Sequence, residues 1–297
     1  GPNCMGLAGF DARMIMTFGF AMETMPPEPG PIGIVSQSGA YGAVAYYEAR
    51  DRQLGVSLWA TTGNEGDISL SEILNYYVAD DAIRVIMLYL EGCKDGIGFL
   101  EGLEAARVAG KPVIVTKVGA SDIGAEAAMS HTASIAGSDV VFDTVIAKYG
   151  AHRTHSMDEF YDIAYACSVT RSFPEGNRVG FLTVSGGVGV LMSDIASRLG
   201  MDVPKLTERA QERIREIIPY AGTRNPVDIT GQTLNDPSLV EKCLDILIEE
   251  DVCDIIVIYM AMATQSPTLI EIFMQIFRNI RERHPEVPIV AGVYVDA

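Results

Sequence analysis

Apolar and polar positions along this chain alternate between two periods. Runs rich in β-branched residues, Pro31 to Gln37, Val56 to Trp59, Val85 to Leu90 and Pro112 to Lys117, are each followed by a stretch with helical spacing. The runs predict strands, and the segments between them predict helices, Ser69 to Tyr77 among them. The second half repeats the scheme, with strands predicted at Val179 to Val184, Ile255 to Met260 and Pro288 to Val293, and helices at Leu206 to Ile218 and Leu239 to Glu249. Continuous apolar strands alternating with helices predict an α/β fold in which each half is a doubly wound parallel sheet with helices on both faces. Pro26-Pro27-Glu28-Pro29-Gly30-Pro31 can continue neither a helix nor a central strand, and Ser172-Phe173-Pro174-Glu175-Gly176-Asn177 forms a second seam. The expected organisation is a tail of an upstream domain over 1–29, one domain over 30–170 and another over 177–297.

The two halves share a local sentence. Gly33-Ile34-Val35-Ser36-Gln37-Ser38-Gly39-Ala40-Tyr41-Gly42 returns as Gly180-Phe181-Leu182-Thr183-Val184-Ser185-Gly186-Gly187-Val188-Gly189, at an offset of 147 (180 minus 33). Each copy reads as strand, glycine turn and helix. The first amides of a helix have no intrahelical partner, and the helix dipole adds roughly half a positive charge there, so each copy is a candidate phosphate site. Ser38, Gly39, Ser185, Gly186 and Gly187 are its expected residues.

Composition narrows the partners. With 297 residues, 48% apolar and 21% charged, the chain can bury two cores of about 150 residues each. No apolar run approaches the ~20 residues of a bilayer span, and the start shows no signal-peptide pattern. A net charge of −17 opposes nucleic acid and anionic membrane as partners, so any phosphate must be held by local dipoles. The five cysteines, Cys4, Cys93, Cys167, Cys243 and Cys253, show no Cys-x-x-Cys spacing. They read as reduced thiols of a cytoplasmic protein, and no metal site is expected. Gly-Pro-Asn-Cys is an unusual start, and the chain reads as a piece of a longer protein.

In doubly wound sheets ligands bind beyond the carboxyl ends of the strands, so those ends are where chemistry is sought. Thr61-Thr62-Gly63-Asn64-Glu65-Gly66-Asp67 follows one strand, and Asp67 either caps the next helix or faces a ligand, the cap being favoured for that residue alone. Asn64, Asn225 and Asp228 lie in similar Gly- or Pro-containing turns and carry the same two readings, turn formation or projection into a cleft. Glu91 stands at the mouth of a buried strand, where a carboxylate is costly unless paired. Lys117 ends another strand and leads into a stretch of small residues that reads as a loop and ends in Ser130-His131-Thr132. A loop histidine is commonly a surface residue. Near two anion-binding helix ends, however, the His131 imidazole is suited to accept a phosphoryl group, with Glu91 holding its other ring nitrogen. On this reading the loop is mobile and brings His131 to the domain interface, between the helix starts near Gly39 and Gly186.

At these residues the chain closely resembles the nucleoside-diphosphate-forming (ADP-forming) acyl-CoA synthetases, relatives of succinyl-CoA synthetase. The resembling pieces run in order: Gly1-Pro2-Asn3-Cys4-Met5-Gly6, Ser36-Gln37-Ser38-Gly39-Ala40, Gly63-Asn64-Glu65-Gly66-Asp67, Tyr89-Leu90-Glu91-Gly92, Lys111-Pro112-Val113, Ser130-His131-Thr132 with Ala136-Gly137-Ser138-Asp139, Ser185-Gly186-Gly187 and Asn225-Pro226-Val227-Asp228. The resemblance implies two flavodoxin-like, succinyl-CoA synthetase-like domains. It implies that acyl-CoA and phosphate give acyl phosphate and CoA, that the phosphoryl group passes to His131 supported by Glu91, and that a nucleoside diphosphate then takes it. CoA and ATP/ADP with Mg would be substrates bound mainly by domains absent from this chain, an upstream CoA-binding Rossmann domain and an ATP-grasp domain or subunit. A homo-oligomer is compatible with this.

Two departures qualify the resemblance. Ala133 stands where the family often has glycine, and Thr183-Val184-Ser185 where relatives commonly show Thr-Asn-Ala. Two other classes remain open: the ligase-like regulatory portion of an acyl-CoA-dependent protein lysine acetyltransferase, and a catalytically silent scaffold subunit. Intact Glu91, His131 and both glycine turns favour the enzyme, with the fragment alone unable to complete the cycle.

Overall fold

The computed structural model describes residues 1–19, 25–121, 123–124, 138–170, 173–261 and 265–292. Backbone contacts divide the chain into two compact units, Gly1–Val169 and Thr170–Ala297.

The first unit contains β1 (Gly6–Gly9), β2 (Met14–Thr17), β3 (Ile32–Ser36), α1 (Gly39–Asp51), β4 (Val56–Thr61), α2 (Leu70–Ala79), β5 (Val85–Leu90), α3 (Gly96–Val108), β6 (Val113–Lys117), α4 (Asp139–Lys148), β7 (His152–Thr154) and α5 (Met157–Val169). Its sheet runs β2-β1-β4-β3-β5-β6-β7. From β4 to β7 every pairing is parallel, whereas β1 pairs antiparallel with both β2 and β4. Successive strand residues point to opposite faces, and both faces are covered. Ile32, Ile34, Val85 and Met87 pack with Tyr46, Ala49, Phe160 and Ala164 of α1 and α5. Val35, Ile86, Leu88 and Val115 pack with Leu74, Tyr77, Phe99 and Leu103 of α2 and α3. That two-sided burial explains why these strands are uniformly apolar. The opening residues belong to the same body. Ala8 and Phe10 join the core around Tyr46 and Trp59, and β1 covers the edge of β4 that would otherwise be open.

The second unit contains β8 (Val179–Thr183), α6 (Gly186–Arg198), α7 (Glu208–Ile217), β9 (Val227–Asp228), a 3-10 turn (Gly231–Leu234), α8 (Ser238–Glu249), β10 (Ile255–Tyr259), α9 (Pro267–Arg283) and β11 (Ile289–Gly292). Its sheet is parallel in the order β9-β8-β10-β11. Counted from the strand before each glycine turn, both sheets have the order second, first, third, fourth, which is the flavodoxin-like arrangement. Helix α7 has no counterpart in the first unit and delays the second strand.

Both glycine turns are followed by a helical glycine forced by close packing. A Cβ at Gly42 would run into the Thr61 methyl group, and one at Gly189 would meet Pro226 Cβ at 3.0 Å and Thr183 Cγ2 at 3.2 Å. The same small residue therefore lets each first helix lie against its sheet. Gly42→Ala should cost about 1–3 kcal/mol of stability by overpacking, read from urea unfolding; an unchanged midpoint would contradict this contact.

Candidate functional site

The repeated sentence folds into a repeated hydrogen-bond pattern. In the first unit, Ser36 Oγ donates to the Ser38 carbonyl at 2.7 Å and accepts from the Ser38 amide at 3.1 Å. In the second, Thr183 Oγ1 donates to the Ser185 carbonyl at 3.1 Å and accepts from the Ser185 amide at 3.0 Å. A buried hydroxyl at the last strand residue thus closes each turn and aims the helix start beyond the sheet. The two ends differ in their occupancy. Ser38 caps α1 by accepting from Tyr41 N at 3.2 Å, and Met5 lies against Gly39, where a Cβ would come 3.1 Å from its Cγ. Ser185 makes no side-chain cap, and a Cβ at Gly187 would meet nothing within 4 Å. The α6 start is the more open of the two.

Gln37 sits between the two hydroxyl-bearing residues of the first turn and is buried. Its Oε1 accepts from the amides of Glu91 at 2.6 Å and Gly92 at 3.0 Å. Its Nε2 donates to the Gly92 carbonyl at 2.7 Å and to Glu65 Oε1 at 2.9 Å. Glu65 Oε1 also accepts from Thr62 Oγ1 at 3.0 Å and from the Leu70 amide at 2.9 Å, at the start of α2. Glu91 itself is half-buried, and its carboxylate makes no hydrogen bond to another described residue. Gln37, Gly63, Asn64, Glu65, Glu91, Gly92 and Lys94 line a small cleft at this strand end. Behind it Tyr89 stacks on Tyr41 at 3.7 Å between ring centroids. Burial first, then the charge of Glu91 and the neighbouring Tyr41, push the Tyr89 phenol up to about 12, so it holds its proton at neutral pH.

The loop after β4 is tied to the N-terminal segment. Asn64 donates its amide to the Pro2 carbonyl at 2.9 Å, and its side-chain oxygen accepts from Asn3 Nδ2 at 3.1 Å. The Gly66 amide donates to the Gly1 carbonyl at 3.0 Å, and Lys94 Nζ donates to the Asn64 carbonyl at 2.6 Å. Gly63, at φ +61°, leaves room for the Asn3 backbone that any Cβ would strike. Asp67 does not cap α2. Ser69 does, accepting from Glu72 N at 3.2 Å while the Glu72 carboxylate accepts from Ser69 N at 2.8 Å, and Asp67 is left exposed.

In the second unit the expectation for Asn225 is corrected. Its Oδ1 accepts from the Phe181 amide at 2.9 Å and its Nδ2 donates to the Val179 carbonyl at 2.7 Å, so the side chain continues the ladder beside β8 instead of facing a cleft. The two-residue β9 is too short to cover that edge, and Asn225 supplies the missing backbone-like pair. Asp228 lies at the start of α6. A Cβ at Gly186 would stand 3.0 Å from its Oδ2, while its Oδ1 accepts from the Thr230 amide at 2.9 Å.

His131, with Ser130 and Thr132, lies outside the described residues. The residues flanking its segment are ordered by charge. Lys117, in register with Leu90 next to Glu91, has a fully buried side chain that donates to the Val118 carbonyl at 2.7 Å and faces Asp139 Oδ1 at 3.8 Å. Asp139 receives Arg153 in a fork, at 2.9 and 2.8 Å, and Arg153 also bonds Asp143. Burial lowers the Lys117 pKa, with Asp139 opposing; the Arg153 fork is the largest cause of Asp139 being held below its usual value. The chain that leaves β6 at Lys117 and returns at Asp139 therefore has both ends at one carboxylate. Gln37, Glu65 and Arg153 escaped sequence reasoning; only the polar Gln37 within Ser36-Gln37-Ser38, at the end of an apolar strand, was a usable sign. Among the described residues no group of three or more His, Cys, Asp or Glu is placed to hold a metal ion. No described helix is long and apolar enough to cross a membrane.

Comparison with known proteins agrees with this architecture. Residues 29–167 match the family described as succinyl-CoA ligase like flavodoxin domain, and residues 179–297 match the Ligase-CoA domain. The chain is 32% identical over 295 residues to the alpha subunit of acetate–CoA ligase [ADP-forming] I of Pyrococcus furiosus, covering 98% of this chain and 62% of that protein. It is 34% identical over 233 residues to 4-hydroxybutyrate–CoA ligase [ADP-forming] of Nitrosopumilus maritimus, covering 78% of this chain and 33% of that one. A dinucleotide forming acetyl-coenzyme A synthetase 1 of Ca. Korarchaeum cryptofilum, solved with phosphate and ADP, superimposes with a TM-score of 0.88 at 28% identity, over 100% of this chain and 62% of that chain. This chain thus spans less than two thirds of the length of such relatives.

Two outcomes follow from the site's ion pair and from Asn225. Because the Asp139 pKa is depressed on folding, its contribution is present at neutral pH and lost as pH falls through and below the ordinary carboxylate range. The stabilities of the unsubstituted protein and Asp139→Asn should therefore converge as pH is lowered below about 4, in denaturant melts at a series of pH values. A gap that stays constant down to acid pH would contradict the ion pair. Asn225→Ala should cost about 1–3 kcal/mol by stranding two backbone groups of β8, and an unfolding midpoint equal to that of the unsubstituted protein would return Asn225 to the cleft.

Proposed function

We propose, for a chain that belongs to the ADP-forming acyl-CoA ligase family, that its two units form the phosphoryl-handling core of an acid–thiol ligase. The observation that carries this reading is Glu91: a carboxylate at the carboxyl end of β5, its backbone fixed by the buried Gln37, its oxygens without a described partner. Such a group is positioned to accept a hydrogen bond from an imidazole N–H and so to fix the tautomer of a nucleophilic histidine.

The reaction divides into three displacements. An oxygen of inorganic phosphate attacks the thioester carbonyl of acyl-CoA, the carbon–sulfur bond breaks, and CoA leaves as thiolate, giving acyl phosphate. A neutral ring nitrogen of His131 attacks phosphorus, the bond from phosphorus to the acyl oxygen breaks, and the carboxylate leaves. The terminal oxygen of a nucleoside diphosphate then attacks the phosphohistidine and frees the imidazole as the triphosphate forms. Glu91 stabilises the charge that grows on the ring in the second step. Each glycine turn is a phosphate site of its own unit: the Gly39 amide beside Ser38 in the first, and the Gly186 and Gly187 amides beside Ser185 in the second, have no intrahelical partner and donate to phosphate oxygens. Asn64 lines the cleft with Glu91 and Asp228 lies at the α6 start; with the exposed Asp67 they act on the acyl or phosphate groups. CoA and ATP or ADP, the nucleotide accompanied by Mg, are substrates held mainly by a CoA-binding domain and an ATP-grasp domain or subunit outside these two units. Relatives are named as ligases of acetate and of 4-hydroxybutyrate and as a trans-feruloyl-CoA synthase, so the acyl group varies among them.

In the full-length enzyme incubated with γ-labelled ATP, label should appear that is lost in acid and retained in base. His131→Ala should abolish it, and Glu91→Gln should slow its appearance about 100-fold. Acid-stable label, or label surviving in His131→Ala, would overturn the assignment.

A further inference from the structure

We propose that Gln37 is the positioning residue for Glu91, and that its presence in the first repeat and absence from the second is what confines the acid–base work to the first unit. The inference rests on the phosphohistidine reading and adds to it the group that sets the carboxylate's place.

Three observations support it. First, the Gln37 amide is saturated and its orientation is fixed: two backbone N–H groups meet Oε1 at 2.6 and 3.0 Å, while a carbonyl and a carboxylate meet Nε2 at 2.7 and 2.9 Å. A flipped amide would set donors against donors. Three of the four bonds go to the Glu91–Gly92 turn, so the amide specifies where the chain leaves β5 and hence where Glu91 begins. Second, the fourth bond reaches Glu65, which itself holds Thr62 and the first amide of α2. The loop with Asn64, the turn with Glu91 and the start of α1 therefore share one buried link. Third, the repeat supplies its own comparison. The backbone at position 37 donates to the Tyr89 carbonyl at 3.1 Å, and the backbone at position 184 donates to the Tyr259 carbonyl at 3.3 Å, so Gln37 and Val184 are equivalent. Two residues beyond those tyrosines stand Glu91 in the first unit and Ala261 in the second. Where the carboxylate is present the amide is present; where the strand end is apolar, so is its neighbour.

The test uses the full-length enzyme and the initial rate of acid-labile labelling of His131 from γ-labelled ATP. Gln37→Leu should lower kcat for labelling roughly 10- to 100-fold while leaving KM for ATP unchanged, since a displaced turn misplaces the carboxylate and touches no nucleotide. Added to Glu91→Gln, it should slow the reaction no further, because its effect passes through that carboxylate. A merely structural loss would multiply instead. Should Gln37→Leu fail to fold, Gln37→Glu is read alone. Its carboxylate still accepts from the Glu91 and Gly92 amides, but its second oxygen faces the Gly92 carbonyl and the Glu65 carboxylate where Nε2 donated, so it should label more slowly than the unsubstituted enzyme and add no loss to Glu91→Gln. Labelling of either Gln37 variant at the unsubstituted rate, or a multiplicative loss in the double variant, would overturn the inference alone. An unsubstituted enzyme that takes no label on histidine would overturn the phosphohistidine reading and this inference with it.

Discussion

One buried amide organises the strand ends of the first unit. In parallel α/β sheets the strands stop together and the loops beyond them must be held by whatever polar groups the strand ends supply, because the apolar runs themselves supply none. Gln37 meets that constraint with four hydrogen bonds to two other strand ends. A buried and fully satisfied polar group of this kind adds little net stability but excludes other arrangements, since shifting any one loop strands donors and acceptors in the others. Glu91 gains a defined backbone position while its carboxylate makes no hydrogen bond to another described residue.

The two units illustrate how a duplicated frame diverges. Ser36 and Thr183 close the same turn with the same pair of hydrogen bonds, and Gly42 and Gly189 admit the same close helix. The frame is retained because its parts are geometrically interdependent. What differs lies just outside it. The first copy has an amide, a carboxylate and an N-terminal segment laid across its loop; the second has Val184, an acid at Asp228 and an open helix start. On the proposed reading, phosphate binding needs only the frame, whereas histidine activation needs the additions of the first copy.

The sheets were legible in the sequence because burial on both faces leaves a simple mark: Val85 to Leu90 is apolar throughout, and its bounds match the strand. The short elements were not. Strand β9 has two residues, below the length at which a pattern can be distinguished from chance, and β1 and β2, with four residues each, lie before the proline seam in what reads as a tail. The candidate carboxylate and glycine turns were legible because their residue types are unusual at strand ends. Asn225 misled, since Asn-Pro in a turn reads as a loop and nothing local reveals that its side chain completes a ladder with residues 44 and 46 positions away. Gln37 stayed hidden for the same reason: its partners lie 28 to 55 positions along the chain. Ser69 outcompeted Asp67 for the helix cap because it stands three residues before a glutamate that returns the bond.

The most direct test of this account is amide hydrogen exchange at the end of β5. If the Gln37 carboxamide holds the turn, the amides of Glu91 and Gly92 should exchange as slowly as that of Leu88 within the strand, although both lie beyond its last ladder pair. Exchange of these two amides at the rate of exposed Lys94 would show that the turn opens freely and that Glu91 has no fixed place.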